Sequence, residues 1–196
     1  RRIWATAEKS GSAEKLKKGI KISNALRKIG IDKRRKLFAD VLNTFGGKLE
    51  MIICGGAALN QDIIDFFDAI GITILNGYGI TECAPLISCN RNKLQYSGSV
   101  GIPIISEEVK IKNPDENGEG EICVKGPNVM LGYFDDPEAT AAVFDEDGFF
   151  RTGDYGRIEE VDGDKWIYIT GRLKNLIIFS NGKNVYPEEI ETELSR

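Results

Sequence analysis

Histidine is absent from all 196 residues. Its absence removes the commonest general acid–base side chain and any Ser-His-Asp triad, so whatever chemistry the chain carries runs without imidazole. The four cysteines, Cys54, Cys83, Cys89 and Cys123, include no Cys-x-x-Cys pair. With no histidine to complete a ligand set, a zinc site is not expected, and they read as reduced structural thiols. No apolar run approaches the roughly 18 residues of a membrane span, and Arg1 to Ser10 lack the apolar stretch of a signal peptide. The expected location is the cytoplasm.

What is present is ordinary globular material. Hydrophobic residues make up 41% and charged residues 29%, which argues against a disordered or fibrous chain. The length can bury a real core and accommodates one large domain or pieces of two. The net charge of −4 is unevenly spread: Arg1 to Lys48 hold fourteen Lys/Arg against four Asp/Glu, about +10, which leaves about −14 for the rest. Such a split can mark an arm for acidic partners. The plainer reading is a solvated helix face. Attachment to an anionic membrane surface is the alternative, and nucleic acid is not expected because no aromatic residues are interleaved with the charge.

From Ala13 to about Phe45 apolar residues recur at helical spacing (Leu16, Ile20, Leu26, then Leu37, Phe38, Val41, Leu42) with Gly30 between the two sets. This predicts two amphipathic helices ending at Gly46-Gly47. Leu49 to Cys54 reads as a buried strand and Asn60 as the cap of a helix carrying Ile63, Ile64, Phe66, Phe67 and Ile70. Gly71 ends that helix, and Ile72 to Leu75 is a second strand. In such a β-α-β unit of a parallel sheet, Gly55-Gly56-Ala57 and Asn76-Gly77-Tyr78 emerge on the edge where ligands bind. After about Leu94 short β-type runs follow at Val109 to Lys112, Glu121 to Lys125, Phe149 to Arg151, Tyr155 to Glu159 and Trp166 to Thr170, as in a small antiparallel barrel. The end offers a strand, an Asn181-Gly182 turn, a second strand and a helix opened by Pro187.

The candidate chemistry sits in three stretches. In "NGYGITE", Gly77 and Gly79, together with Gly55 and Gly56 of the neighbouring strand end, let backbone approach a flat ligand. Tyr78 can stack on a base and Asn76 can bond its edge. Thr81 offers a hydroxyl to phosphate, and Glu82 offers the hard oxygen that Mg²⁺ prefers beside phosphates. In "FFRTGDYG", Asp154 suits vicinal ribose hydroxyls, although an Asp in such a turn is also a common local cap. In "ITGRLKN", Arg172 can hold phosphate or ribose, and Lys174 sits where a pivot could lie. Surface charge on a turn is the alternative for both.

In this order and spacing, "NGYGITE", "FRTGD" and "GRLKNLIIFSNGKNVYPEEIE" resemble three motifs of the adenylate-forming enzymes: acyl-CoA synthetases, firefly luciferase and the adenylation domains of peptide synthetases. "CGGAAL", "GSVGIP" and "GEICVKGPNVMLGYFDDPEAT" add to the likeness, which runs from about Phe45 to the last residue. "SNGKNVYPEEIE" and the basic helices before "FGGKLE" bring it nearest to the long-chain fatty acid CoA ligases.

The resemblance implies an α/β fold: the end of a parallel α/β subdomain over residues 1–94, a small antiparallel β-barrel over 95–170, and the hinge and start of a mobile α+β domain over 171–196. It implies activation of a small-molecule carboxylic acid by ATP with Mg²⁺, release of pyrophosphate, and transfer of the acyl group to coenzyme A with release of AMP. Gly55, Gly56 and Ala57 would line the adenine and acyl pocket. Asn76 and Tyr78 would contact adenine, Thr81 the α-phosphate, Glu82 the Mg²⁺, Asp154 the ribose and Arg172 the ribose or phosphate. Lys174 would lie at the hinge and Gly182 on the loop forming the pantetheine tunnel. The Ser/Thr/Gly-rich phosphate loop and the late lysine of the family have no counterpart here. The chain therefore reads as part of a longer enzyme, inactive by itself. A carrier protein as acceptor, or a non-catalytic module seated on membrane or partner, are the competing readings. Acyl chain length and oligomeric state are not encoded legibly.

Overall fold

The helical spacing between Ala13 and Phe45 is realised in three pieces. The computed structural model describes residues 2–56, 59–92, 95–175, 177–178, 184–185, 187, 190 and 194. In it α1 (Arg2–Lys9) precedes α2 (Ala13–Lys28), and the expected second helix is split into α3 (Arg34–Leu37) and α4 (Ala39–Asn43). The break falls at Phe38, which closes one helix and opens the next. Its ring is buried with Leu16, Leu42, Ile70 and Ile72, so tertiary burial overrides the continuous pattern.

The chain divides into two units, Arg1–Ile52 with Leu59–Ile74, and Ile53–Ala58 with Leu75–Arg196. In the first, Asn60 caps α5 (Gln61–Ile70) by accepting the Asp62 N–H, and Gly71 ends it. Two arginines tie the helices to the loops around them. The guanidinium of Arg34 donates to the Asp68 carboxylate at 2.8 Å and to its carbonyl at 2.7 Å, and also pairs with Asp32. That pairing holds the Asp32 carboxyl at about 2. Arg35 donates to the carbonyls of Leu49 and Gly47, at 2.9 and 2.7 Å. Part of the basic excess therefore serves structure: a planar fork can satisfy several oxygens at once where an ammonium cannot.

The fold is mixed α/β. One sheet has the order β1 (Met51–Cys54), β2 (Thr73–Gly79), β3 (Leu86–Cys89) and β4 (Ile102–Pro103). β2, β3 and β4 pair antiparallel. Strand β2 continues four residues past Leu75, so Asn76 to Gly79 lie in the sheet and not in a loop beyond it.

The second unit also contains the antiparallel sheet β5 (Glu108–Lys112), β6 (Gly120–Lys125), β7 (Phe150–Val161) and β8 (Asp164–Arg172), paired in chain order. The runs Phe149 to Arg151 and Tyr155 to Glu159, expected as two strands with a Thr-Gly-Asp turn between them, are joined in one twelve-residue strand, Phe150–Val161. Against β6 a register shift between Glu121 and Cys123, whose partners are Tyr155 and Arg151, absorbs the extra residues of this stretch, and a second shift, between Tyr155 and Gly156, occurs against β8. Reciprocal backbone bonds link β8 to the first sheet: the Val100 N–H to the Ile167 carbonyl and the Ile167 N–H to that of Gly101, both 2.9 Å. The core between them contains Tyr78, Cys83, Ile87, Val109, Ile122, Val124, Phe150 and Ile167. Helix α6 (Pro137–Val143), not anticipated, starts as its sequence dictates: Asp136 accepts the Ala139 N–H and Pro137 takes the first turn,. Beyond β8, β9 (Ile177–Ile178) pairs antiparallel with β10 (Asn184–Val185).

Candidate functional site

The site grows from the end of β2. After Gly79 the chain makes a short 3₁₀ turn, Thr81–Cys83, passes through Ala84 in the left-handed region (φ 49°), and returns as β3 with Tyr78 opposite Ser88 and Gly79 opposite Leu86. The result is a tight hairpin with Thr81 and Glu82 at its tip. Its closeness depends on Gly79, where a Cβ would stand 1.8 Å from the carbonyl oxygen of Pro85. No other residue fits without moving backbone.

Beside the hairpin lies an open cleft of about 460 Å³, within the range of small-molecule sites. Ile53, Cys54, Gly55 and Gly56 line it together with Gly77 to Glu82, Pro85, Leu86 and Arg172. Gly56 takes φ 86°, and a Cβ on Gly55 would approach the Gly77 carbonyl to 3.2 Å. These glycines leave the strand ends bare, so that part of the wall is backbone without side chains.

Behind that wall, three residues distant in sequence are joined. The Tyr78 phenol donates to Asp154 Oδ2 at 2.7 Å, and Arg172 Nε approaches Asp154 Oδ1 at 3.0 Å. Asp154 and Arg172 are direct cross-strand partners on β7 and β8. Tyr78 and Asp154 are buried, while the Arg172 side chain remains 64% exposed. Burial, with the Asp154 charge second, pushes the Tyr78 phenol far above the ordinary tyrosine value, so it acts as a fixed donor. The Asp154 N–H is held by Thr152 Oγ1, which itself donates to the Ile122 carbonyl.

Glu82 is gripped from the segment before α6. Its carbonyl accepts the Met130 N–H at 2.7 Å, and its Oε1 accepts the Tyr133 hydroxyl at 3.1 Å. The next residue, Cys83, is wholly buried, and burial, then Glu107 and Glu82, push its thiol up to about 12. It is a packing residue and not a nucleophile.

Of the residues singled out from sequence, Gly55, Gly56, Gly77, Tyr78, Gly79, Thr81, Glu82 and Arg172 line the cleft. Asp154 stands behind it, joined to Tyr78 and Arg172. Asn76 is buried within β2, its carbonyl accepting the Asn90 N–H, and is not among the lining residues. Lys174 is exposed on the turn Leu173–Asn175 after β8 and is likewise not a lining residue. Ala57 and Gly182 lie outside the described residues.

The sequence reading missed Ile53, Cys54, Ile80, Pro85 and Leu86 in the lining, as well as Tyr133. Ile53 is the exposed member of β1, which strand alternation could have indicated. Tyr133 had no local signal, since its bond to Glu82 spans 51 positions.

Magnesium fits the donor set. Among the described residues no three or more of His, Cys, Asp and Glu gather into a metal cage. One carboxylate at a cleft mouth beside a threonine hydroxyl is what an ion arriving with phosphates needs, because Mg²⁺ keeps waters and takes one or two protein carboxylates.

The chain is similar to known CoA ligases and synthetases. The long-chain-fatty-acid–CoA ligase of Salmonella typhimurium is 49% identical over 127 residues, covering 62% of this chain and 22% of the relative. A feruloyl-CoA synthase of Amycolatopsis sp is 41% identical over 153 residues, covering 74% and 30%. Among solved structures, the o-succinylbenzoate CoA synthetase of Bacillus subtilis in complex with its acyl-adenylate intermediate superposes with a TM-score of 0.69 at 31% identity, covering 83% of this chain and 34% of that one. ATP-bound MatB of Rhodopseudomonas palustris gives 0.67 at 34% identity, covering 82% and 34%. The chain thus spans about a fifth to a third of these relatives. The AMP-binding enzyme profile matches residues 7–134, more than half of the sequence and including the whole Thr81–Glu82 hairpin, and the chain belongs to that family.

Proposed function

We propose that the whole protein activates a carboxylic acid with ATP and passes the acyl group to the thiol of coenzyme A, the acid being a fatty acid. The observation that carries the reading is the hairpin tip, which sets Thr81 and Glu82 at the mouth of a glycine-walled cleft backed by Tyr78, Asp154 and Arg172. The fatty class rests on the likeness to long-chain ligases and on the apolar flank of Ile53, Pro85 and Leu86. The feruloyl-CoA synthase relative marks aromatic acids as the class to compare against it.

In this mechanism the acid's carboxylate attacks the α-phosphorus of ATP, the bond to pyrophosphate breaks, and an acyl-adenylate forms. The thiol of coenzyme A then displaces AMP. The chain's part is positioning and charge stabilisation, so the lack of histidine is no obstacle. The bare backbone at Gly55, Gly56, Gly77 and Gly79 admits the flat adenylate. Thr81 donates to an α-phosphate oxygen as negative charge builds there, and the Arg172 guanidinium, anchored on Asp154, reaches the ribose or phosphate. Glu82 would hold Mg²⁺, and the ion when bound would supply charge neutralisation at the phosphates. Lys174, just after β8, marks the pivot for the residues that follow.

The test is pyrophosphate release by the whole protein with ATP, Mg²⁺ and a ladder of fatty and aromatic acids, with and without coenzyme A. Release dependent on fatty acids, with thioester formed only when coenzyme A is present, is the expected result. Release without thioester moves the acceptor to a carrier protein, and no release with any acid overturns the reading.

A further inference from the structure

The Glu82 carboxylate is oriented from outside the hairpin that carries it. The segment Gly126 to Asp136 crosses the hairpin and grips it at both ends. The Met130 N–H donates to the Glu82 carbonyl at 2.7 Å, and Asn128 Nδ2 donates to the Leu86 carbonyl at 2.8 Å. Val129 and Met130 pack against the core cluster, which fixes the first half of the segment. Helix α6 fixes the second half: Thr140 Oγ1 accepts the Tyr133 N–H at 2.9 Å and donates to the Asp136 carbonyl at 2.8 Å, and Asp136 caps the helix. Tyr133 is therefore held at its backbone on a rigid support while its hydroxyl meets Glu82 Oε1 at 3.1 Å. Its neighbours Leu131 and Phe134 are fully exposed, so this side chain alone of the three turns back to the hairpin tip.

We propose that Tyr133 is a positioning residue for Glu82, holding one carboxylate oxygen by its phenol so that the other faces the Mg²⁺ that accompanies the nucleotide. The proposal rests on the reading of Glu82 as the metal-binding carboxylate. A free glutamate side chain samples several rotamers, and each must be lost when the ion binds. A phenol donating to one oxygen removes most of that freedom beforehand. Partners that orient metal ligands in this way typically change metal affinity by 10–100-fold when removed. A tie at 3.1 Å to one oxygen belongs at the lower end.

The test is calorimetric titration of ATP into the whole protein at stepped free Mg²⁺, with Mn²⁺ binding followed by its paramagnetic resonance signal as a readout independent of turnover. Tyr133→Phe should raise the half-saturating Mg²⁺ by about tenfold, the lower end of that range, and leave metal-free AMP binding unchanged. Thr140→Ala, which releases the Tyr133 N–H but keeps the phenol, should give a smaller shift in the same direction. Phe134→Ala should give none. Glu82→Gln separates the two layers. If Glu82→Gln abolishes the Mg²⁺ response while Tyr133→Phe titrates like the parent, the positioning role is wrong and the metal site stands. If Glu82→Gln leaves the Mg²⁺ response intact, the underlying reading of Glu82 fails. A Tyr133→Phe protein that is merely less stable, with unshifted Mg²⁺ and Mn²⁺ curves, also overturns the proposal.

Discussion

Tyr78 and Asp154, separated by 76 positions, share a buried hydrogen bond of 2.7 Å in which the phenol is the donor. The bond joins the strand that leads into the hairpin tip to the strand that carries the "FRTGD" motif. Two of the three sequence stretches singled out for chemistry are thus one physical unit. Removing the phenol takes one hydrogen-bond donor from a buried carboxylate that also pairs with Arg172. Tyr78→Phe should therefore destabilise the chain by about 1.5–3 kcal/mol, the range for hydrogen bonds to charged groups. Urea unfolding measures this. In a double-mutant cycle with Asp154→Asn the coupling should be at least about 0.5 kcal/mol. A coupling near zero would mean the two side chains act independently.

Gly79→Ala probes the hairpin itself. The added carbon would meet the Pro85 carbonyl oxygen at 1.8 Å, far inside any real contact. Relief requires the turn that carries Thr81 and Glu82 to shift. Overpacking of this kind costs about 1–3 kcal/mol, and the larger consequence is functional: nucleotide affinity in the whole protein should fall by more than the stability change alone explains. Unaltered affinity with normal unfolding would show that the hairpin geometry is not what holds the nucleotide.

Glu107 supplies a pH dependence. Both its carboxyl oxygens are buried without a hydrogen bond of good geometry. Burial raises its titration above the ordinary glutamate value of 4.5, with the Asn128 backbone as a partial offset. The protonated form is the one the fold favours. Its contribution to stability is thus complete below the ordinary value and is lost as pH rises through the raised one. Glu107→Gln removes the ionisation, so the variant should gain stability relative to the parent between about pH 4 and about pH 8, a sign opposite to that of a salt-bridged carboxylate. Urea midpoints at the two pH values decide it. An equal or growing advantage of the parent at the higher pH would refute the account.

How much of this was legible beforehand depends on the range of the interaction. Asn60 and Gly71 were readable as cap and stop because a helix end is satisfied within a few residues. The strand character of Thr73 to Leu75 was readable from β-branched and apolar runs. Phe38 was not, because the helix breaks there to bury a ring against Ile70 and Ile72, a contact no local pattern carries. The "TGD" stretch looked like a turn because Gly and Asp favour turns; Gly153 does take φ 71°, yet the stretch stays inside one long strand. The residue types of the site, Thr81, Glu82, Asp154 and Arg172, were visible through their chemistry and through resemblance. That Asp154 receives Tyr78 on one oxygen and Arg172 on the other follows only from strand register. The partners of Arg34 and Arg35 in the basic segment, Asp32, Asp68 and four backbone carbonyls, were likewise out of reach of a local pattern.

Arg172 separates stability from binding. Its ion pair with Asp154 is short, 3.0 Å, but the side chain is 64% exposed, and exposed pairs contribute about 0–1 kcal/mol. Arg172→Lys keeps the charge while losing the planar fork that can contact Asp154 and a ligand oxygen together. The unfolding midpoint should accordingly move little, by less than about 0.5 kcal/mol in free energy. AMP affinity in the whole protein should fall by about tenfold or more, as expected when a charge-assisted contact worth at least about 1.4 kcal/mol is lost. Asp154→Asn should show the reverse weighting in part, since it also disturbs the buried Tyr78 bond. Equal losses of stability and affinity in Arg172→Lys would instead make Arg172 a structural partner of β7, and the ligand-facing side of the cleft would then have to be sought among Thr81 and the backbone of Gly77 to Gly79.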